Sequence, residues 1–239
     1  MTKGVYLRSM DITIIRATSR KNSSTYNAAK YFISKLGNVG EVFEFILPED
    51  MPHICKGCYA CLYGNEDKCG GFKYLEPINA AFSRSEIIIF CCPVWCYHAP
   101  GQIKSFLDHY GYRWLVHRPN FDMMNKQAVI ITTAGGGGLK SAAKDIKDSM
   151  DYWGIARTHV VTQSVWGYFW NNMPDKFKRA FEKKLDKTAR KVLKYEKNPK
   201  ISLKVKLLYK MFERLHLNDK LWEVDNEYWK KNRGKVKSS

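Results

Sequence analysis

"SEIIIFCCPVWCYHAPGQIKSFLDH", residues 85–109, holds the pattern that decides the fold. Its first eight residues lead into an unbroken apolar run, as a central parallel strand covered on both faces requires. Pro93 stiffens the exit, Trp95 and Tyr97 follow as flat surfaces, and "GQIKSFLDHYGY" (101–112) reads as a helix. Strand, loop and helix in that order make half of a βαβ unit. The same alternation extends in both directions. "DITIIRA" (11–17), "EVFEFIL" (41–47), "KQAVIITT" (126–133) and "RTHVVTQSV" (157–165) read as strands. "STYNAAKYFISKL" (24–36), with Ser23 or Ser24 as N-cap and Gly37 as stop, and "LKSAAKDIKDSMDYWG" (139–154) read as helices. Five strands joined by four crossovers predict an α/β protein with a parallel sheet and helices on both faces.

A chain of 239 residues, 45% hydrophobic, can bury the core of such a sheet and carry an appendage. No run approaches the roughly 20 apolar residues of a membrane span, and the N-terminal stretch lacks a signal-like apolar run. A cytoplasmic protein with no stable membrane association is expected. The net charge of +17 is uneven: residues 171–239 hold 21 Lys+Arg against 9 Asp+Glu, an excess of twelve. These charges are spread over helical patterns, which suits a solvated face; acidic lipid, RNA or an acidic redox partner are the alternatives. Nothing pairs aromatic and basic residues on a recognised nucleic-acid module, so no nucleic acid is expected.

Ligands of open parallel sheets bind beyond the carboxyl ends of the strands, where the strand order reverses. After the first strand, "ATSRKNSST" (17–25) puts hydroxyls, an amide and Arg20 where a helix opens. A phosphate there can accept bonds from Thr18, Asn22, Ser24 and Thr25, with Arg20 as a charged donor. After the fourth strand, "TTAGGGG" (132–138) brings four consecutive glycines, whose N–H groups can approach a ligand without side-chain bulk. Tyr97 and His98 are candidates for a proton donor or substrate contact, and no catalytic residue is assigned.

These segments resemble the flavodoxin-like NAD(P)H-dependent FMN reductases over residues 11–165, and within them the chain is similar to the iron-sulfur flavoproteins. "CPVWCYHAPGQIKSFLDH" matches the family's second signature, and "ATSRKNSST" keeps Arg20, Lys21 and Thr25 of its phosphate loop. Ala17, Ser19 and Ser23 stand where that loop has Gly, Pro and Gly. The resemblance implies a flavodoxin-like five-stranded sheet and an FMN phosphate on Thr18, Arg20, Asn22, Ser24 and Thr25. It implies a flavin ring between Pro93, Val94, Trp95 and Cys96 on one side and Thr133, Ala134, Gly135 and Gly136 on the other. NAD(P)H is then the electron donor and a quinone, flavin, nitro compound or similar small molecule the acceptor. The alternative is an electron carrier between protein partners, its basic surface steering an acidic redox protein.

"CKGCYACLYGNEDKC" (55–69) follows the second strand and spaces Cys55, Cys58, Cys61 and Cys69 as Cys-x2-Cys-x2-Cys-x7-Cys. Three closely spaced thiolates and a fourth from beyond a turn suit a [4Fe–4S] cluster. Zinc favours two separated pairs, and a reducing compartment disfavours disulfides. Cluster, zinc, disulfide and no cofactor all remain open on the residues, and the resemblance supports the cluster. Cys91 and Cys92 read as core residues.

The tail divides near residue 198, giving a flavodoxin-like FMN-binding domain (1–197) and a basic C-terminal helical extension (198–239). Phe177, Phe181, Leu185, Thr188 and Val192 predict one buried helical face. Ile201, Val205, Leu208, Phe212 and Leu215 predict a second seam, packed on its own domain or on another copy in a homo-oligomer.

Overall fold

The computed structural model describes residues 9–196, 198–218 and 222–235. Strands β1 (Met10–Arg16), β2 (Val39–Ile46), β3 (Ile87–Pro93), β4 (Gln127–Ala134) and β5 (Arg157–Ser164) form one parallel sheet in the order β2-β1-β3-β4-β5. Every residue of β3 and β4 is buried, whereas the edge strands β2 and β5 are partly exposed. The apolar run at 87–92 is thus central because helices cover both of its faces.

Two cores flank the sheet. On one face Ala28, Ala29 and Phe32 of α1 (Ser24–Ser34) and Phe181, Leu185, Ala189 and Val192 of α5 (Asp175–Lys194) pack on Ile12, Ile14, Ile89 and Ile131. On the other, α2 (Phe72–Arg84), α3 (Gly101–Asp108) and α4 (Leu139–Tyr152) cover Ile15, Ile88, Phe90 and Ile130. Phe106 of α3 is wholly buried among Phe82, Phe90, Tyr110 and Trp153, with ring centroids 5.1–6.5 Å away.

Helix α2 was not expected from sequence. Pro77 lies inside it and removes one backbone donor. Burial of Leu75, Ile78, Ala81 and Phe82 along a single stripe outweighs that loss. Phe177 is also corrected: it is exposed, because the first turn of α5 projects beyond the sheet core that buries Phe181.

The last two helices, α6 (Leu203–Asn218) and α7 (Glu223–Lys231), pack on the segment after α3. Val205, Tyr209, Phe212 and Trp229 are buried there with Leu115 and Met124. The Trp229 indole donates to the His117 carbonyl at 2.6 Å, and its ring stacks on His216. The expected seam therefore closes on the chain itself, with one correction: Leu215 is exposed and His216 takes the inward position. Among the described residues, no helix is long and apolar enough to cross a membrane.

Candidate functional site

The loop leaving β1 is fixed before any ligand arrives. Ala17 N–H donates to the Cys91 carbonyl at 3.1 Å, and Gln102 Nε2 donates to the Ala17 carbonyl at 2.9 Å. Arg16 is buried, pairs with Glu44, lies over the Tyr26 ring and reaches the Arg20 carbonyl at 3.4 Å. The loop ends at Ser23, the N-cap of α1, which makes no side-chain capping bond to the helix. Ser23 Oγ instead pairs with Thr25 Oγ1 at 2.7 Å. The first-turn N–H groups of α1 are thus open to an anion.

The loop leaving β3 folds back in a two-residue turn. Trp95 and His98 exchange both backbone hydrogen bonds, at 3.0 and 2.9 Å, while Cys96 and Tyr97 between them take φ of 46° and 71°. Positive φ at both central residues gives the mirror-image turn that suits a hairpin. The glycine run passes beside it: a Cβ on Gly138 would fall 2.8 Å from the Tyr97 backbone, so only glycine fits. Gly135 and Gly136 face open space. Tyr97 lies against Gly137, and His98 Nδ1 bonds Ser141 Oγ at 2.8 Å.

These loops surround a cavity of about 400 Å³ beyond the carboxyl ends of β1, β3 and β4, lined by Arg20, Ser24, Pro93, Val94, Trp95, Cys96, Thr133, Ala134 and Gly135 among the expected residues. Thr18, Asn22, Thr25 and Gly136 do not line it. Thr18 Oγ1 accepts the Arg20 N–H at 3.3 Å, and Thr25 is buried against Ser23. Asn22 is exposed. Sequence reasoning missed Ser23 and the segment after β5, where Val165, Gly167, Tyr168 and Phe169 complete the wall. Ser24 Oγ donates to the Tyr168 carbonyl at 3.0 Å and ties the two loops together. The aromatic run "VWGYFW" (165–170) was the available signal.

A second cavity, about 330 Å³, is lined by all four cysteines of the 55–69 stretch together with His53 and His109. The thiols are free. Burial raises the Cys61 pKa, and the neighbouring Cys69, Cys55 and Cys58 raise it further. His109 Nε2 faces the His53 carbonyl at 3.0 Å, so that nitrogen carries the proton and Nδ1 accepts from the Cys69 thiol at 3.6 Å. Burial lowers the His109 pKa. Among the described residues no three His, Cys, Asp or Glu side chains converge as ligands of one metal ion. Cys91 and Cys92 stand apart, wholly buried in the sheet, and burial pushes the Cys92 thiol up to about 12.

Arg118 braces this cavity from outside. Its guanidinium donates to the Cys61 carbonyl, to Leu62 O at 3.1 Å and to Glu66 Oε1 at 2.8 Å. It also pairs with Asp225 of α7, whose other oxygen lies 2.7 Å from His117 Nδ1. Trp222 meets Tyr63 at 5.6 Å between ring centroids. Helix α7 and its N-cap residue therefore hold the cysteine loop.

The strand order 2-1-3-4-5, with a cavity at the switch between β1 and β3, defines a flavodoxin-like α/β protein. Residues 10–170 match the model of the NADPH-dependent FMN reductase family, and the chain belongs to that family. It is an NAD(P)H-dependent FMN oxidoreductase. Solved structures share the fold. The FMN-dependent NADH-azoreductase from Bacillus anthracis str. Ames Ancestor in complex with FMN is 12% identical, with 77% of this chain and 99% of that chain covered at a TM-score of 0.58. The NAD(P)H:quinone oxidoreductase from Methanothermobacter marburgensis is 16% identical, with 77% and 98% covered at 0.57. No curated protein matches the chain.

Proposed function

We propose that FMN binds in the 400 Å³ cavity, that Cys55, Cys58, Cys61 and Cys69 hold a [4Fe–4S] cluster as in the iron-sulfur flavoproteins, and that a small flat molecule is the acceptor. The observation that carries the flavin assignment is the convergence on one cavity of a cationic, uncapped helix start, a flat wall at Trp95 and a glycine wall free of side-chain bulk. Arg20, Ser23, Ser24 and the first N–H groups of α1 hold the phosphate. Pro93 to Cys96 and Thr133 to Gly135 flank the ring. Bound there, FMN supplies hydride acceptance and the return of electrons to the acceptor. The N–H group of Gly135 offsets negative charge on the ring. Trp95, more than half exposed at the mouth, offers a flat donor or acceptor a stacking surface.

The cysteine cavity fits a cluster better than one ion. A cubane takes one thiolate per iron, so its sulfurs stand around a volume rather than converging on a point. The support for that arrangement is that all four thiols are free and line one cavity of about 330 Å³. The cluster supplies one-electron transfer.

Arg20→Glu is expected to weaken FMN binding about ten- to hundredfold, the worth of one charge-assisted bond, as read by flavin fluorescence titration. Unchanged affinity removes Arg20 from the phosphate site. After anaerobic reconstitution with iron and sulfide, the wild-type chain is expected to hold about four irons, and Cys58→Ala far fewer with FMN affinity kept. Equal iron in both proteins refutes the cluster.

A further inference from the structure

Helix α6 turns Val205, Tyr209, Phe212 and His216 inward and leaves its opposite side without a partner among the described residues. Leu203, Leu207, Met211 and Leu215 lie four residues apart on that side and are 72%, 60%, 52% and 45% exposed. Four large apolar side chains in one row along four turns form a continuous strip, unlike apolar residues scattered singly over a surface.

The rim of the strip is cationic. Lys206, Lys210 and Arg214 form a parallel row, each one residue before a member of the strip, and Lys204 stands on its other flank. Lys204 is engaged by Asp151 at 2.7 Å. Lys210 and Arg214 have no ion-pair partner among the described residues. Glu213, the acidic residue of this helix, is turned away and accepts from Tyr209 Oη at 2.8 Å and Gly234 N–H at 3.0 Å. An apolar row beside uncompensated Lys and Arg is the pattern of a helix that lies in the plane of a membrane interface.

We propose that the exposed side of α6 binds reversibly to an anionic lipid surface, with Leu203, Leu207, Met211 and Leu215 entering the headgroup boundary and Lys210 and Arg214 meeting the lipid phosphates and carboxylates. Charge complementarity selects this occupant. A second copy would place two cationic rims against each other, and a single-helix strip falls short of the roughly 800 Å² per partner of a stable interface. The sequence expectation of no stable membrane association rested on the lack of a spanning run, which an interfacial helix does not need, and on the lack of aromatic and basic residues together on a recognised binding module.

Vesicle co-sedimentation of the full chain tests this. Binding is expected with phosphatidylcholine vesicles containing about 30% phosphatidylserine, a composition that gives a negative surface potential, and it should fall as salt screens that potential. Pure phosphatidylcholine vesicles are expected to bind at least about tenfold less. Lys210→Glu/Arg214→Glu and Leu207→Gln/Met211→Gln should each reduce partition more than about tenfold. All four side chains are exposed and lie outside the flavin cavity, so FMN binding and helix content should stay at wild-type levels. Equal binding to both vesicle types, or none to either, overturns the proposal. A mass doubled in light scattering and halved by Leu207→Gln/Met211→Gln, without vesicle binding, would assign the strip to a second copy.

Discussion

Asp225→Ala is expected to cost about 3–5 kcal/mol, because removing one partner of a buried ion pair leaves the other charge uncompensated. Asp225 is wholly buried and Arg118 nearly so. Glu66, partly exposed, remains on Arg118 and moves the expected loss toward the lower end of that range. For a chain of this size, about 3 kcal/mol corresponds to a fall in Tm of about 6–12 °C. The damage should be local first. Arg118 links the Cys61 and Leu62 carbonyls to α7, so hydrogen exchange should accelerate at 61–66 and at 222–231 before it does in the sheet. A Tm within about a degree of wild type, with exchange unchanged in both segments, would show that the tail does not brace the cysteine loop.

Phe106→Ala is the other large effect, at about 3–5 kcal/mol for a buried phenylalanine replaced by a methyl. Its ring stands among Phe82, Phe90, Tyr110 and Trp153, aromatic neighbours that cannot all collapse into the space left behind. Phe106 lies on α3, the helix that follows the Trp95–His98 turn, so FMN binding should weaken along with stability. Phe106→Leu keeps most of the apolar volume and should recover much of both. Chemical denaturation reads the loss. A Phe106→Ala chain as stable as wild type would mean that the core fills the cavity by moving.

The sheet was legible because burial on both faces leaves a local trace. "SEIIIFCC" and "KQAVIITT" contain the continuous apolar runs 87–92 and 128–131, and a run of that kind has few structural readings. Arg20, Ser24 and the walls at 93–96 and 133–135 were legible because sheet topology places certain loops at one edge. Which hydroxyls of the first loop face the cavity was not. Ser23 rather than Thr18 or Thr25 lines it, since a hydrogen bond and the helix start set side-chain direction at the scale of single residues.

The sequence by itself determined the five strands, the helices α1, α3 and α4, the loops that line the cavity at the carboxyl edge of the sheet and the grouping of four cysteines, all features set by residues near one another in the chain. Only the tertiary structure decided the rest. Tyr168 joins Ser24 across 144 positions, and Asp225 joins Arg118 across 107. Leu215 points to solvent while His216 points inward, because the surface that α6 meets is built from segments about a hundred residues earlier. Periodicity records how much of a helix is buried, but the partner that buries it depends on where the whole chain brings its distant segments together.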